Sequence, residues 1–128
     1  EENLERLVEN GFGNNVDKSI VKIQGVTHTA NNTGDIAFHT STTGTMSEKV
    51  RITNAGHVIP GADNAYDLGS STNRWRDLYI GDAHFSNRDS ANEVDGTWGD
   101  WTLQEGESKI FMINNRTGKK YSLVMEEE

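Results

Sequence analysis

Apolar residues in this chain come in short sets separated by Gly, Asn, Ser and Thr, and that spacing limits what it can fold into. Only 33 % of its 128 residues are hydrophobic and 13 are Gly, so one copy has little material for a thick core. Short strands with tight turns suit such a composition. Copies of the chain can then bury small apolar sets between them, because association adds buried area that a single copy lacks.

The strand pattern is easiest to see where side chains alternate. Lys22 and Gln24 alternate with Val21, Ile23 and Gly25, a period-two strand with Val21 and Ile23 on one face. A second strand is expected over 35–40, carrying Ile36 and Phe38, and a loop over 41–47. A third strand over 49–53 has Val50 and Ile52 inward, and a brief fourth over 57–59 has Val58 and Ile59 inward before Pro60 and Gly61. At the N-terminus, Leu4, Leu7 and Val8 share one face of a short helix that Gly11 and Gly13 would stop. A helix of that length is marginal alone, so it is frayed, packed on the rest, or the end of a longer coiled coil.

In the middle of the chain, Tyr66 and Leu68 precede a Gly-Ser-Ser-Thr-Asn loop, and Trp75, Leu78 and Tyr79 follow at i, i+3, i+4 spacing. That spacing predicts one helical turn capped by Ser71, Thr72 or Asn73, then strands over 78–80 and 83–85. Toward the C-terminus, strands are expected over 98–103 and 109–114. A tight turn at 115–118 leads into 120–125, where Tyr121, Leu123 and Met125 alternate.

A formal net charge of −8 argues against nucleic acid, whose binding rests on Lys and Arg neutralising phosphates. No apolar run approaches the roughly 18 residues that read as a membrane span. With no Cys there are neither disulfides nor thiolate metal ligands. His28, His39, His57 and His84 lack the i, i+2 or i, i+4 spacing of a metal site, and no alternating Asp set marks a Ca²⁺ loop. Neither metal nor cofactor is expected.

Several segments together resemble one family. GDIAFHT (34–40), EKVRITNAGHV (48–58) and YDLGSSTNRWRDLY (66–79) look like the distal part of tailed-bacteriophage tail fibres, particularly those of phages of marine bacteria, cyanophages among them. VDGTWGDWTLQEGE (94–107) and IFMINNRTGKKY (110–121) resemble the C-terminus of such fibre proteins, and the pieces fall in the family's order. The resemblance implies an elongated, mainly β homotrimer of short strands with Gly/Asn turns. It would sit in the virion, after assembly in the host cytoplasm, beside other virion tail proteins, with its distal end touching the host surface.

On that basis three regions are expected: a helix, coiled-coil end or linker over 1–16, a β-rich shaft over 17–90, and a C-terminal β-hairpin or sandwich tip over 91–128. Val21, Ile23, Ile36, Phe38, Val50, Ile52, Tyr66, Leu68, Trp75, Leu78 and Tyr79 are assigned to packing between copies. Arg74 and Arg76, flanking Trp75 near Asp67 and Asp77, suit interchain salt bridges or stacking of a guanidinium on Trp.

Trp98 and Trp101 lie three apart in a polar, Gly-flanked segment, where an aromatic face can either pack or take the C–H face of a sugar. With Asn114, Asn115, Arg116 and Lys119 on nearby loops, they form the candidate receptor-binding set for a host surface glycan or protein. Three copies would act by avidity rather than through a deep pocket. Two other roles compete: a purely structural trimerisation or attachment module, and a fragment of a carbohydrate-active depolymerase. No pair of carboxylates in the sequence selects the enzyme reading.

Overall fold

A computed structural model of the chain describes residues 9–12, 20–29 and 32–126. These residues are mainly β, in two antiparallel sheets, with no helix among them. The helix expected around Leu4, Leu7 and Val8 lies outside the described residues. Gly11, expected to stop it, is part of a strand.

Chain contacts divide the molecule into two compact units, 1–73 and 74–128. In the first, β1 (Glu9–Phe12), β2 (Val21–Thr27), β3 (Gly34–Thr42), β4 (Thr45–Ile52) and β5 (Val58–Pro60) form a meander in which every strand pairs with the next. The expected loop over 41–47 is instead the tip of the β3–β4 hairpin. Thr and Ser side chains are compatible with strand pairing there, and Thr43 and Gly44 alone make the turn, at φ of 50° and 81°. Positive φ at both central residues matches the right-handed twist of the flanking strands.

Register explains which side chains share a face. Ile23 lies opposite Phe38, Phe38 opposite Val50, Ile36 opposite Ile52, and Ile52 opposite Val58. With Val21 they make one apolar face, yet Val21, Ile23, Ile36, Phe38, Val50 and Val58 stay 36–69 % exposed in the single chain. Ile59 does not join them. As the neighbour of Val58 it points to the other side, opposite Arg51. That side is polar. It holds Asp35, which is buried, and Ala37, the one buried apolar side chain among the described residues.

Asp35 accepts hydrogen bonds from His28 Nε2 at 2.9 Å, Arg51 Nη1 at 2.9 Å and the Asn54 backbone N–H at 2.8 Å. Arg51 turns its Nε and Nη2 to Glu48 at 2.8 and 2.6 Å. Hydrogen bonds from His28 first, then Arg51, pull the Asp35 carboxyl down to about 2. Arg51 likewise lowers the pKa of Glu48.

Between the sheets' strands, residues 61–82 contain neither strand nor helix, and all are exposed. The expected helical turn at Trp75 and the strand over 78–80 do not form. Gly69 takes φ of 89°, the Ser70 N–H donates to the Asn73 carbonyl at 2.9 Å, and the Asn73 N–H donates to Ser70 Oγ at 3.0 Å. These local bonds close an isolated turn between Ser70 and Asn73, one of the expected caps, and no helix starts from it. In the first unit, Tyr66 stays beside the sheet, with Lys49 Nζ 4.9 Å from its ring centroid. Leu68, Trp75, Leu78 and Tyr79 project outward, Tyr79 at 90 % exposure. Arg76 pairs with its neighbour Asp77 at 2.9 Å.

The second unit carries β6 (Ala83–Ser86), β7 (Asp100–Glu105), β8 (Ile110–Asn114) and β9 (Lys120–Ser122), again paired in sequence order. Strand β6 therefore belongs to the same sheet as the C-terminal hairpin. Strand β7 starts at Asp100, so Trp98 lies in the loop before it. Strand β9 is shorter than the alternation of Tyr121, Leu123 and Met125 predicts. One further backbone bond, from the Leu123 N–H to the Ile110 carbonyl at 2.9 Å, continues its pairing.

Candidate functional site: an aromatic cleft in the second sheet

Cross-strand pairing places Phe85, Trp101 and Asn114 side by side on β6, β7 and β8. Beyond them, loop 87–99 is built by amide and carboxylate side chains. Asn92 Oδ1 accepts from the N–H groups of Val94 and Asp95 at 2.8 and 3.0 Å, an Asx turn that bends the chain back on itself. Asp95 Oδ1 then accepts from Asn92 Nδ2 at 2.6 Å and from the Thr97 N–H and Oγ1 at 3.0 and 2.8 Å. Those bonds, led by that from Asn92, lower the Asp95 pKa. Asn87 ties the loop to the sheet by accepting from the Gly99 N–H at 2.6 Å.

Gly99 is required by close approach: a Cβ there would lie 2.9 Å from Trp101 Nε1. The loop and sheet enclose an open cleft of about 830 Å³, walled by Phe85, Trp98 and Trp101 and edged by Asn114, Arg116 and Asp95.

Arg116 reaches the cleft from the β8–β9 turn. Its guanidinium lies 3.8 Å from the Trp98 ring centroid, and Nη1 donates to the Trp98 carbonyl at 2.8 Å. This stack joins residues eighteen positions apart in the sequence. Trp101 meets Tyr121 with ring centroids 5.7 Å apart and planes tilted by 47°.

Of the candidate receptor contacts, Trp98, Trp101, Asn114 and Arg116 come together on the cleft wall, and Asn115 and Lys119 do not line it. Asn115 is instead tied to β7: its Nδ2 donates to Asp100 Oδ1 at 2.7 Å and to Thr102 Oγ1 at 2.9 Å. Thr102, itself buried, also contacts His84 Nδ1 at 3.0 Å, so this triad pins the turn on which Arg116 sits. Sequence reasoning missed the loop residues Asn87, Asn92, Asp95 and Thr97. The run from Asn92 through Asp95-Gly96-Thr97 carries their signal, since Asx turns favour that composition.

Chemically, the cleft offers indole and phenyl surface together with amide and guanidinium donors. Among the described residues, no three His, Asp or Glu side chains converge as a metal site would require. No family model, curated protein or solved structure matches this chain.

Proposed function

We propose that this chain is part of the distal region of a phage tail fibre, a non-catalytic virion protein that works as a homotrimer and attaches to a host surface glycan or protein. The observation that carries this reading is the open apolar face of the first sheet. Six Val, Ile and Phe side chains on it remain more than a third exposed, while Ala37 alone among the described apolar residues is buried. A folded chain gains about 1 kcal/mol for each such half-covered side chain that a neighbour then shields. Leu68 in the first unit and Trp75, Leu78 and Tyr79 in the second are further exposed apolar side chains assigned to packing between copies.

Attachment is assigned to the aromatic cleft, one per copy, with three copies multiplying a modest affinity. Light scattering on the eluting protein should give three times the mass of one chain. The variant Trp98→Ala/Trp101→Ala should remain trimeric and lose binding to host cells. A folded monomer would remove the shared-interface argument, and normal host binding by the double variant would remove the cleft from attachment.

A purely structural role has one observation in its favour: Arg116 already occupies a face of Trp98, leaving less open indole for a ligand. That reading requires the double variant to bind host cells as the unmodified protein does.

A further inference from the structure

We infer that the aromatic cleft selects saccharides bearing an anionic group, a carboxylate or a phosphate, over neutral ones, with Arg116 as the anion contact and Trp101 as the stacking surface. The inference rests on reading the cleft as a glycan site, and it names the class of glycan.

Arg116 is held at two points on one residue, its guanidinium over the Trp98 ring at 3.8 Å and its Nη1 on the Trp98 carbonyl at 2.8 Å. Its Nε and Nη2 have no acceptor among the described residues. Among the described residues no carboxylate pairs with it, in a chain with 20 acidic residues against 12 Lys and Arg. By contrast Arg51, on the polar face of the first sheet, is fully matched by Asp35 and Glu48. A positioned guanidinium whose Nε and Nη2 edge is open is suited to bidentate pairing with a carboxylate or phosphate.

Asn114 supports the same direction. Its Oδ1 accepts from the N–H groups of Arg116 and Thr117 at 3.0 and 3.2 Å, which leaves Nδ2 as a second donor on a residue that lines the same cleft. Asn114 lies opposite Trp101 in the sheet, so the donors and the indole are neighbours. Asp95 is the single carboxylate among the described cleft residues, and it is engaged by its own loop: Oδ1 takes three hydrogen bonds from Asn92 and Thr97. Anion selection therefore rests on the guanidinium edge that no carboxylate takes up, while Asp95, kept ionised by its loop, has its Oδ1 committed to Asn92 and Thr97.

Calorimetry on the full chain tests this with four probes: tri-galacturonate, its methyl ester, mannose 6-phosphate and mannose. The acid should bind about ten-fold or more tightly than its ester, the scale of a hydrogen bond to a charged partner. Preference for the phosphate pair rather than the uronate pair would identify phosphate as the natural group. Arg116→Gln should bring the acid-to-ester ratio to about one. Arg116→Lys, which keeps the charge and loses the fork, should give an intermediate ratio, with circular dichroism confirming that both variants fold.

Equal affinity for charged and neutral forms would overturn the anion preference and leave the glycan reading standing. Binding of none of the four would overturn the preference as well, and the host-cell assay on Trp98→Ala/Trp101→Ala then decides separately whether the glycan reading falls too.

Discussion

Arg51 joins Asp35 through a single 2.9 Å contact from Nη1, while its two remaining nitrogens close on Glu48. One guanidinium thus ties strand β3 to strand β4 on the face that has almost no apolar side chains to do so. With the Asp35 carboxyl held at about 2, its contribution to stability is complete above the ordinary Asp range near 4. As the pH falls from about 4 towards 2, the unfolded chain takes up the proton first and the contribution drains away. Thermal melts between pH 7 and pH 2 should show that loss in the unmodified protein and a flatter profile in Asp35→Asn. Parallel profiles would mean the ion pair adds nothing that titrates.

A second expectation comes from Gly61, just past β5. Its N–H donates to the Lys49 carbonyl at 2.8 Å, and a Cβ on it would overlap the Glu48 carbonyl oxygen. Lys49 is the extra residue of the bulge that shifts β4 against β3 between Phe38 and His39, so neither backbone can retreat without disturbing the ladder. Gly61→Ala should cost about 1–3 kcal/mol in denaturant unfolding. Gly25→Ala, whose added methyl meets nothing within 4 Å, should fall within about 0.5 kcal/mol. Similar costs for the two would show that the bulge region yields.

At the β3–β4 tip, Thr43 holds φ of 50° although its β-branched side chain is disfavoured there. Asn adopts this conformation more readily, and Asn-Gly is the preferred pair for such a turn. Thr43→Asn should raise stability by about 0.5–1 kcal/mol, read from the urea midpoint, despite losing the 2.8 Å bond from Thr43 Oγ1 to the Thr42 carbonyl. A drop in the midpoint would assign that bond more weight than the backbone strain.

How far the sequence could be read depended on what each signal encodes. Alternation located β2, β3 and β4 and placed Val21, Ile23, Ile36, Phe38, Val50 and Ile52 on a common face, because a strand writes its period directly into side-chain polarity. It failed where pairing is carried by the backbone alone, as at Thr42 and Thr45, whose polar side chains resemble a loop. Trp75, Leu78 and Tyr79 failed for the opposite reason. Three residues at helical spacing are too few to form a turn when Ser70 and Asn73 bond each other instead. In the cleft, Trp98, Trp101, Asn114 and Arg116 could be picked by residue type and proximity to loops. The stacking of Arg116 on Trp98 could not, since only the β7–β8 pairing brings those two loops together.

The open face of the first sheet carries the last prediction. Ile23, Phe38 and Val50 lie in one row across β2, β3 and β4, and each stays more than a third exposed in the single chain. Replacing Ile23 and Val50 with Lys puts two charges into the middle of that row at little cost to a lone chain, whose face is already wet. In a trimer the same charges would be desolvated against the neighbouring copies, and burying an unpaired charge costs several kcal/mol. Ile23→Lys/Val50→Lys should therefore keep its β signature by circular dichroism while light scattering falls from trimer to monomer mass. A variant that remains trimeric would move the interface off this face and onto the exposed aromatic segment, where Trp75→Ala/Tyr79→Ala becomes the variant that separates the copies.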